Sequence, residues 1–117
     1  MEGKELATKI AAILDAKRGR DIDIISLRDL TIVADYFVVC TAMSSLQARA
    51  LADEVEEQLE AEGIDLIRHD GRREATWIVM DYGHVIVHIF DPDQRQFYNI
   101  ERLWADTDNM IRYSTPD

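Results

Sequence analysis

Two alternating runs of residues between Thr76 and Phe90 constrain the fold of this chain more than any other feature. They flank Tyr82-Gly83, where glycine can take the positive φ that a tight hairpin needs. This stretch therefore predicts a β-hairpin with a two-residue loop. The cross-strand partners expected from that loop are Asp81 with His84, Met80 with Val85, Val79 with Ile86, Ile78 with Val87 and Trp77 with His88.

Alternation gives the hairpin two different faces, because successive side chains of a strand point to opposite sides. The apolar face, expected to be core, contains Ile78, Met80, Val85, Val87 and Ile89. The mixed face contains Trp77, Val79, Asp81, His84, Ile86 and His88. A mixed face exposes apolar area unless a helix of the same chain or a partner protein covers it. The pattern leaves both alternatives open.

The remaining segments predict helices and strands in alternation. Apolar residues at helical spacing indicate helices over 2–17 and 45–62, and a capping box formed by Ser44 and Gln47 opens the second helix. Short helices are expected after the Asp91-Pro92 cap, through about Tyr98, and around Leu103-Trp104; strands are expected at 21–27, 36–41 and 65–69. The strands at 36–41 and 65–69 should be parallel and joined by a right-handed crossover. The fold class is therefore α/β (α+β), a mixed five-stranded sheet with helices packed on it.

Length and charge exclude several classes of protein. A chain of 117 residues predicts one domain, here 1–106, followed by a polar tail over 107–117. With 23 acidic and 13 basic residues the net charge is −10, which disfavours direct binding of nucleic acid. The single cysteine excludes an intramolecular disulfide, and no apolar run has membrane-spanning length. We expect a cytoplasmic protein that does not enter the membrane.

Patterns that would indicate catalysis are weak. His84 and His88 are four residues apart on one strand, roughly 13 Å, which is too far to share a metal ion. Cys40 lies in an apolar run where burial disfavours the thiolate. Asp21 and Asp23 have the spacing of paired carboxylates, and the loop 41–45 precedes a helix N-terminus that can hold phosphate. A solvated strand edge and helix capping are simpler explanations, so no metal and no cofactor are predicted.

Several segments, taken together, resemble one protein family. They are Asp35-Tyr36-Phe37-Val38-Val39-Cys40-Thr41, the Ser45–Ala50 stretch with Gln47, Gly71–Asp81 with Trp77, and Val85-Ile86-Val87-His88-Ile89-Phe90, followed by Arg95, Phe97-Tyr98, Glu101 and Leu103-Trp104. This order is similar to that of the ribosomal silencing factor family, RsfS, also called iojap-like. The resemblance covers about residues 5–106.

The resemblance implies a function as well as a fold. It implies a fold related to nucleotidyltransferases, no enzymatic activity and frequent homodimers. It also implies binding to the large ribosomal subunit through one of its proteins, the fourteenth of the L series. Bound there, such a protein sterically blocks joining of the small subunit and represses translation when nutrients are scarce.

The binding role implied by the resemblance falls on five positions of this chain. They are Trp77 as an apolar anchor, with Asp81, His88, Arg95 and Tyr98 fixing orientation. An acidic domain also suits a basic ribosomal protein better than ribosomal RNA. Two alternatives remain: a small nucleotidyltransferase-like enzyme that uses Asp21, Asp23 and the loop 41–45, and a homodimer formed through the mixed face.

Overall fold

A six-stranded mixed sheet forms the centre of the computed structural model, which describes residues 2–28, 30–105 and 108–113. The strands are β1 (Arg20–Ser26), β2 (Tyr36–Thr41), β3 (Arg68–Asp70), β4 (Trp77–Asp81), β5 (Val85–Phe90) and β6 (Met110–Arg112). Their order across the sheet is β3-β4-β5-β2-β1-β6. The β2–β5 pair is parallel and every other pair is antiparallel. The α+β class with a mixed sheet is therefore confirmed.

In the described part of the chain, four helices accompany the sheet: α1 (Gly3–Ala16), α2 (Ser45–Ala61), α3 (Pro92–Tyr98) and α4 (Ile100–Trp104). The first two end within a residue of their predicted bounds. Ser44 Oγ accepts a hydrogen bond from the Gln47 amide at 3.0 Å, and Gln47 Oε1 accepts one from the Met43 amide at 2.7 Å. Ser44 therefore caps the helix as predicted, whereas Gln47 satisfies the amide of Met43, one residue before the amide that a capping box would satisfy. Among the described residues no helix is both long enough and apolar enough to cross a membrane.

The two long helices cover one face of the sheet. Their buried residues, which include Ile10, Leu14 and Leu51, form one core cluster with the apolar side chains of the strands beneath them. The hairpin contributes Ile78, Met80, Val85, Val87 and Ile89, all fully buried. The predicted core face of the hairpin is thus confirmed.

The predicted register of the hairpin is wrong by two residues. Val79 pairs with His88 and Met80 with Val87, because the turn is centred on Gly83-His84 and not on Tyr82-Gly83. Tyr82 is 6% exposed and continues the apolar row of β4, with its amide bonded to the Val85 carbonyl at 2.9 Å. Burial of this aromatic ring moves the turn one residue along the chain.

The predicted pairing around the crossover also needs correction. The strand expected at 65–69 is β3, which runs in the direction of β2 but lies at the sheet edge, with β4 and β5 between them. All three residues of β3 are exposed. The parallel partner of β2 is β5. Since β2 is largely buried, its neighbour must be apolar too, and β5 meets that requirement whereas β3 does not.

The sixth strand comes from the segment predicted as a polar tail, so the expected count of five strands is wrong. In β6, Ile111 pairs with Ile24 of β1, and the Tyr113 amide bonds to the Ile22 carbonyl. Pairing satisfies the backbone groups of an otherwise open edge of β1. Residues 107 and 114–117 of the predicted tail lie outside the described residues, as does residue 106, and the boundary after residue 106 stays a prediction.

Candidate functional site

The second face of the sheet carries a continuous series of aromatic rings. We call this surface the aromatic face; it consists of Phe37, Trp77, Val79, Ile86 and His88 on the strands, with Tyr98 of α3 and Trp104 of α4. Ring centroids are 4.6 Å apart for Tyr98–Trp77, 6.0 Å for Trp77–His88, 4.6 Å for His88–Phe37 and 6.1 Å for Phe37–Trp104. The structure therefore brings together three of the five predicted site residues, Trp77, His88 and Tyr98.

Trp77 is fixed on three sides. Its ring stacks on Phe90 at 5.0 Å and contacts Tyr98, and its Nε1–H donates to His88 Nδ1 at 3.1 Å. Gly71, at φ +92°, lies so close to the Trp77 carbonyl that a Cβ there would collide with it. The two ring contacts and the hydrogen bond to His88 hold the indole in one orientation while leaving part of it exposed. A partly exposed aromatic ring with fixed geometry is typical of an interface anchor.

His88 supports Trp77 from beneath. The side chain is 7% exposed, and burial lowers its pKa to about 4, so the imidazole is neutral at pH 7. Because Nδ1 accepts the Trp77 proton, the ring proton belongs on Nε2. His88 therefore acts as an acceptor that orients the indole, and a partner's contact with its ring is limited by its burial.

The helices α3 and α4 cover only part of this face. Ile100 and Trp104 pack over Val39, Phe90 and their neighbours in a second, smaller core cluster. Asp91 caps α3 by accepting a hydrogen bond from the Gln94 amide at 2.7 Å, which confirms the predicted Asp91-Pro92 start. On the outer side, Phe97, Tyr98 and Leu103 remain exposed. The helices thus add apolar surface beside the aromatic face as well as covering part of it.

Arg95, the fourth predicted residue, lies inside the protein. Its guanidinium donates to the Asp21 carbonyl at 2.6 Å, Thr41 Oγ1 at 2.8 Å, Asp23 Oδ2 at 2.9 Å and Glu101 Oε1 at 3.2 Å. The side chain is buried. Its geometry favours a positioning role, since it joins α3 to β1, β2 and α4; direct contact with a partner stays a prediction.

Asp81, the fifth predicted residue, lies apart from the others at the far end of β4. It is four residues from Trp77 along the strand, roughly 13 Å away. Its carboxylate accepts a hydrogen bond from the Gly83 amide at 2.7 Å and pairs with Arg68 at 3.5 Å. Asp81 therefore stabilises the hairpin turn, and its partly exposed carboxylate lies at the rim of the aromatic face.

Arginine side chains lie beside Asp21 and Asp23, where the enzymatic alternative would require a metal ion. Asp23, 1% exposed, pairs with Arg112 at 2.7 Å as well as with Arg95, and Arg112 also approaches Asp21 at 3.5 Å. Burial raises the pKa of Asp23, and the two guanidiniums oppose that effect. Within residues 2–28, 30–105 and 108–113, no three His, Cys, Asp or Glu side chains converge to hold a metal.

Comparison with known proteins gives the family. A family model described as "Ribosomal silencing factor during starvation" matches residues 1–116. The chain belongs to the RsfS family. It is 39% identical to the ribosomal silencing factor RsfS of Bacillus subtilis over 106 residues, 91% of this chain and 90% of that relative. It is 37% identical to the RsfS of Haemophilus influenzae over 92 residues, 79% of this chain and 90% of that relative.

A solved structure supports the RsfS assignment at the level of the fold. A crystal structure of a protein from Chromobacterium violaceum aligns with a TM-score of 0.87 and 29% sequence identity. The alignment covers 99% of this chain and 96% of that one.

Sequence reasoning missed one residue that the RsfS fold brings to this face and one exposed apolar segment elsewhere in the chain. The sequence predicts for Phe37 only a place in a central strand, yet its ring connects His88 to Trp104. Alternation within β2 was the available signal, because Phe37 lies between Tyr36 and Val38, which face the other core. The apolar residues 30–33 were also missed, although three large aliphatic side chains in one short connection are visible in the sequence.

Proposed function

We propose that this chain binds a protein of the large ribosomal subunit through its aromatic face and thereby prevents the small subunit from joining. Translation is repressed as a result, under conditions of nutrient limitation. The observation that carries the proposal is a rigid, partly exposed aromatic face on a member of the RsfS family. Relatives in this family bear the name ribosomal silencing factor.

The charge of the chain supports a protein partner over RNA. A net charge of −10 repels phosphate but attracts a basic protein surface. Complementary charge raises the rate of encounter, whereas desolvated aromatic anchors supply most of the affinity. We therefore assign direct contact to Trp77 and Tyr98, with Asp81 at the rim facing basic groups of the partner.

Rigidity of the aromatic face supports a role in tight docking. Trp77 is held by His88 and Phe90, and the helix that carries Tyr98 is tied to the sheet by Arg95. A surface that is ordered before binding loses little conformational entropy when it docks. His88 and Arg95 contribute to binding by positioning the residues that make contact.

The enzymatic alternative has less support from the geometry. The carboxylates of Asp21 and Asp23 are directed at arginines, and the start of α2 is capped by Ser44 and Gln47. Burial raises the pKa of the Cys40 thiol to about 12, which removes it as a nucleophile at pH 7. We therefore infer a regulatory protein that acts by binding, in the cytoplasm, without cofactor or metal.

The finer parts of the proposal concern the partner. The partner is the fourteenth protein of the L series. A domain bound to that protein obstructs joining of the small subunit. Homodimerisation through the same face is a competing use of this surface. If the chain forms homodimers through this face, the Trp77→Ala variant should be monomeric in sedimentation velocity and should still bind the ribosome.

The test is sedimentation of purified subunits through a sucrose gradient with this chain added. Comigration with the large subunit and a smaller fraction of joined ribosomes support the proposal. A Tyr98→Ala variant should reduce both effects, and Leu46→Ser, on the opposite side of the sheet, should reduce neither. Absence of the native chain from every ribosomal fraction overturns the proposal, and titration with magnesium and nucleoside triphosphates then tests the enzymatic alternative.

A further inference from the structure

The loop that joins β1 to β2 exposes a second apolar surface. Leu30, Ile32 and Val33 are 54%, 104% and 70% exposed. We call residues 30–33 the apolar loop. Three large aliphatic side chains held in water within four residues are costly, and such exposed patches mark interaction sites.

Hydrogen bonds and buried flanks hold the apolar loop in place. The Leu30 amide bonds to the Leu27 carbonyl at 2.9 Å, and the Val33 amide bonds to Thr31 Oγ1 at 3.1 Å. On either side, Leu27 and Ala34 are buried. The exposed side chains are therefore presented from an ordered backbone, which reduces the entropy lost on docking.

The apolar loop is continuous with the aromatic face. Its buried flanks, Leu27 and Ala34, belong to the same core cluster against which Phe37 and Trp104 pack. Phe37, the second residue of β2, comes four residues after the loop ends and lies at the end of the aromatic face that meets α4. The apolar loop is therefore flanked by residues of the core on which Phe37 and Trp104 pack, and we expect a partner that covers these two rings to lie next to it.

The area that a stable complex requires favours this extension. A standard interface removes about 800 Å² from each partner. The strand residues of the aromatic face, such as Phe37, Val79 and Ile86, are already largely covered and supply only a small part of that area. The exposed apolar side chains next to them, on α3, α4 and the apolar loop, are the remaining source.

We propose that the apolar loop is part of the same docking surface and inserts into an apolar groove, rimmed by basic residues, on the large-subunit protein that covers the aromatic face. This inference rests on the proposed function. It predicts a partner with two contact regions, one for the aromatic rings and one for Ile32 and Val33.

Binding of a labelled native chain to purified large subunits, compared with an Ile32→Ser/Val33→Ser variant, tests the inference. Both side chains point into water, so the thermal unfolding temperature of the variant should match that of the native chain. Its affinity should fall tenfold or more, because two apolar contacts are lost. The control is Leu46→Ser/Ile67→Ser, which removes two other exposed aliphatic side chains and should bind within twofold of the native chain.

The outcomes of this experiment distinguish failure of the inference about the apolar loop from failure of the proposed function. Native affinity in the loop variant overturns the inference and leaves the proposed function standing. Equal weakening in the loop variant and the control also overturns it, because the loss is then a general effect of apolar area. Failure of the native chain to bind large subunits overturns the proposed function and the inference together. If the double variant does not fold, Ile32→Lys alone repeats the comparison.

Discussion

Acidification should destabilise this protein through His88. Burial lowers the pKa of this imidazole from about 6.5 to about 4, and its Nδ1 already accepts the Trp77 proton. Protonation therefore requires the hydrogen bond to break and a charge to be buried. Because the unfolded chain takes up this proton near pH 6.5 and the folded chain only near pH 4, the unfolded state binds more protons between these values.

The sign and size of the effect follow from that difference. The contribution of His88 to the free energy of unfolding is fully present above pH 6.5 and is lost as the pH falls towards 4. A tenfold difference in proton affinity is worth about 1.4 kcal/mol, so the loss approaches about 3 kcal/mol. Carboxylates also titrate in this range, and a His88→Gln variant, which keeps an acceptor but cannot titrate there, separates the two contributions.

Urea unfolding followed by tryptophan fluorescence at a series of pH values is the assay. The native chain should lose about 3 kcal/mol more than His88→Gln between pH 7 and pH 4. Direct titration of the His88 ring by NMR gives a second measurement that needs no variant. Identical pH dependence in both chains, or titration of His88 near pH 6.5, would refute the reasoning.

Three further predictions concern the site and its support. In urea unfolding, Arg95→Met should lower the free energy of unfolding by about 3–5 kcal/mol, because it leaves the buried Asp23 short of one partner. The control is Arg102→Met on the exposed side of α4, which should change the free energy of unfolding by less than about 0.5 kcal/mol. Trp77→Ala should weaken binding to large subunits by more than about 1 kcal/mol in a titration, and unchanged affinity in the folded variant would remove Trp77 from the interface. Cys40 should react with a chromogenic disulfide reagent only after unfolding in urea, because burial raises the pKa of its thiol to about 12; rapid reaction of the native chain would contradict this.

The hairpin shows how far periodicity determines structure. Side chains alternate with a period of two, so an error of two residues in register leaves every side chain on its correct face. The predicted faces around Ile78 and Trp77 are therefore right although the predicted pairs are wrong. The register depends on where the turn forms, which here depends on burial of Tyr82, a tertiary contact that alternation does not encode.

Strand partners were less predictable than strands. Local composition identified β2 as central, yet its neighbour β5 is distant in sequence. The edge strand β3 has no apolar residue to indicate it, and the edge strand β6 is only three residues long. Strand β6 is specified in part by Arg112 reaching Asp23 of β1, which is distant in sequence. Pairings of this kind arise from the assembled sheet and have no local signal.

Residues of the candidate site were predictable only where the residue type alone indicates a place on the binding surface. Trp77 and Tyr98 are large aromatic residues on a mixed face, and they meet in the structure. Arg95 was grouped with them, but residue type alone does not distinguish a guanidinium that faces a partner from one that satisfies buried carboxylates. That distinction requires the position of α3 relative to β1.

The parallel pairing of β2 with β5 has a consequence for the order in which the chain folds. Val38 lies beside Val87, so this contact closes a loop of about fifty residues, whereas the β4–β5 hairpin closes only a tight turn. Loop-closure entropy makes distant pairing slow, and we expect the hairpin to form first and the centre of the sheet later. Phe37 reaches His88 only through that late step. A newly made chain should therefore acquire its ability to dock at the end of folding, and partly folded molecules should leave ribosomes untouched.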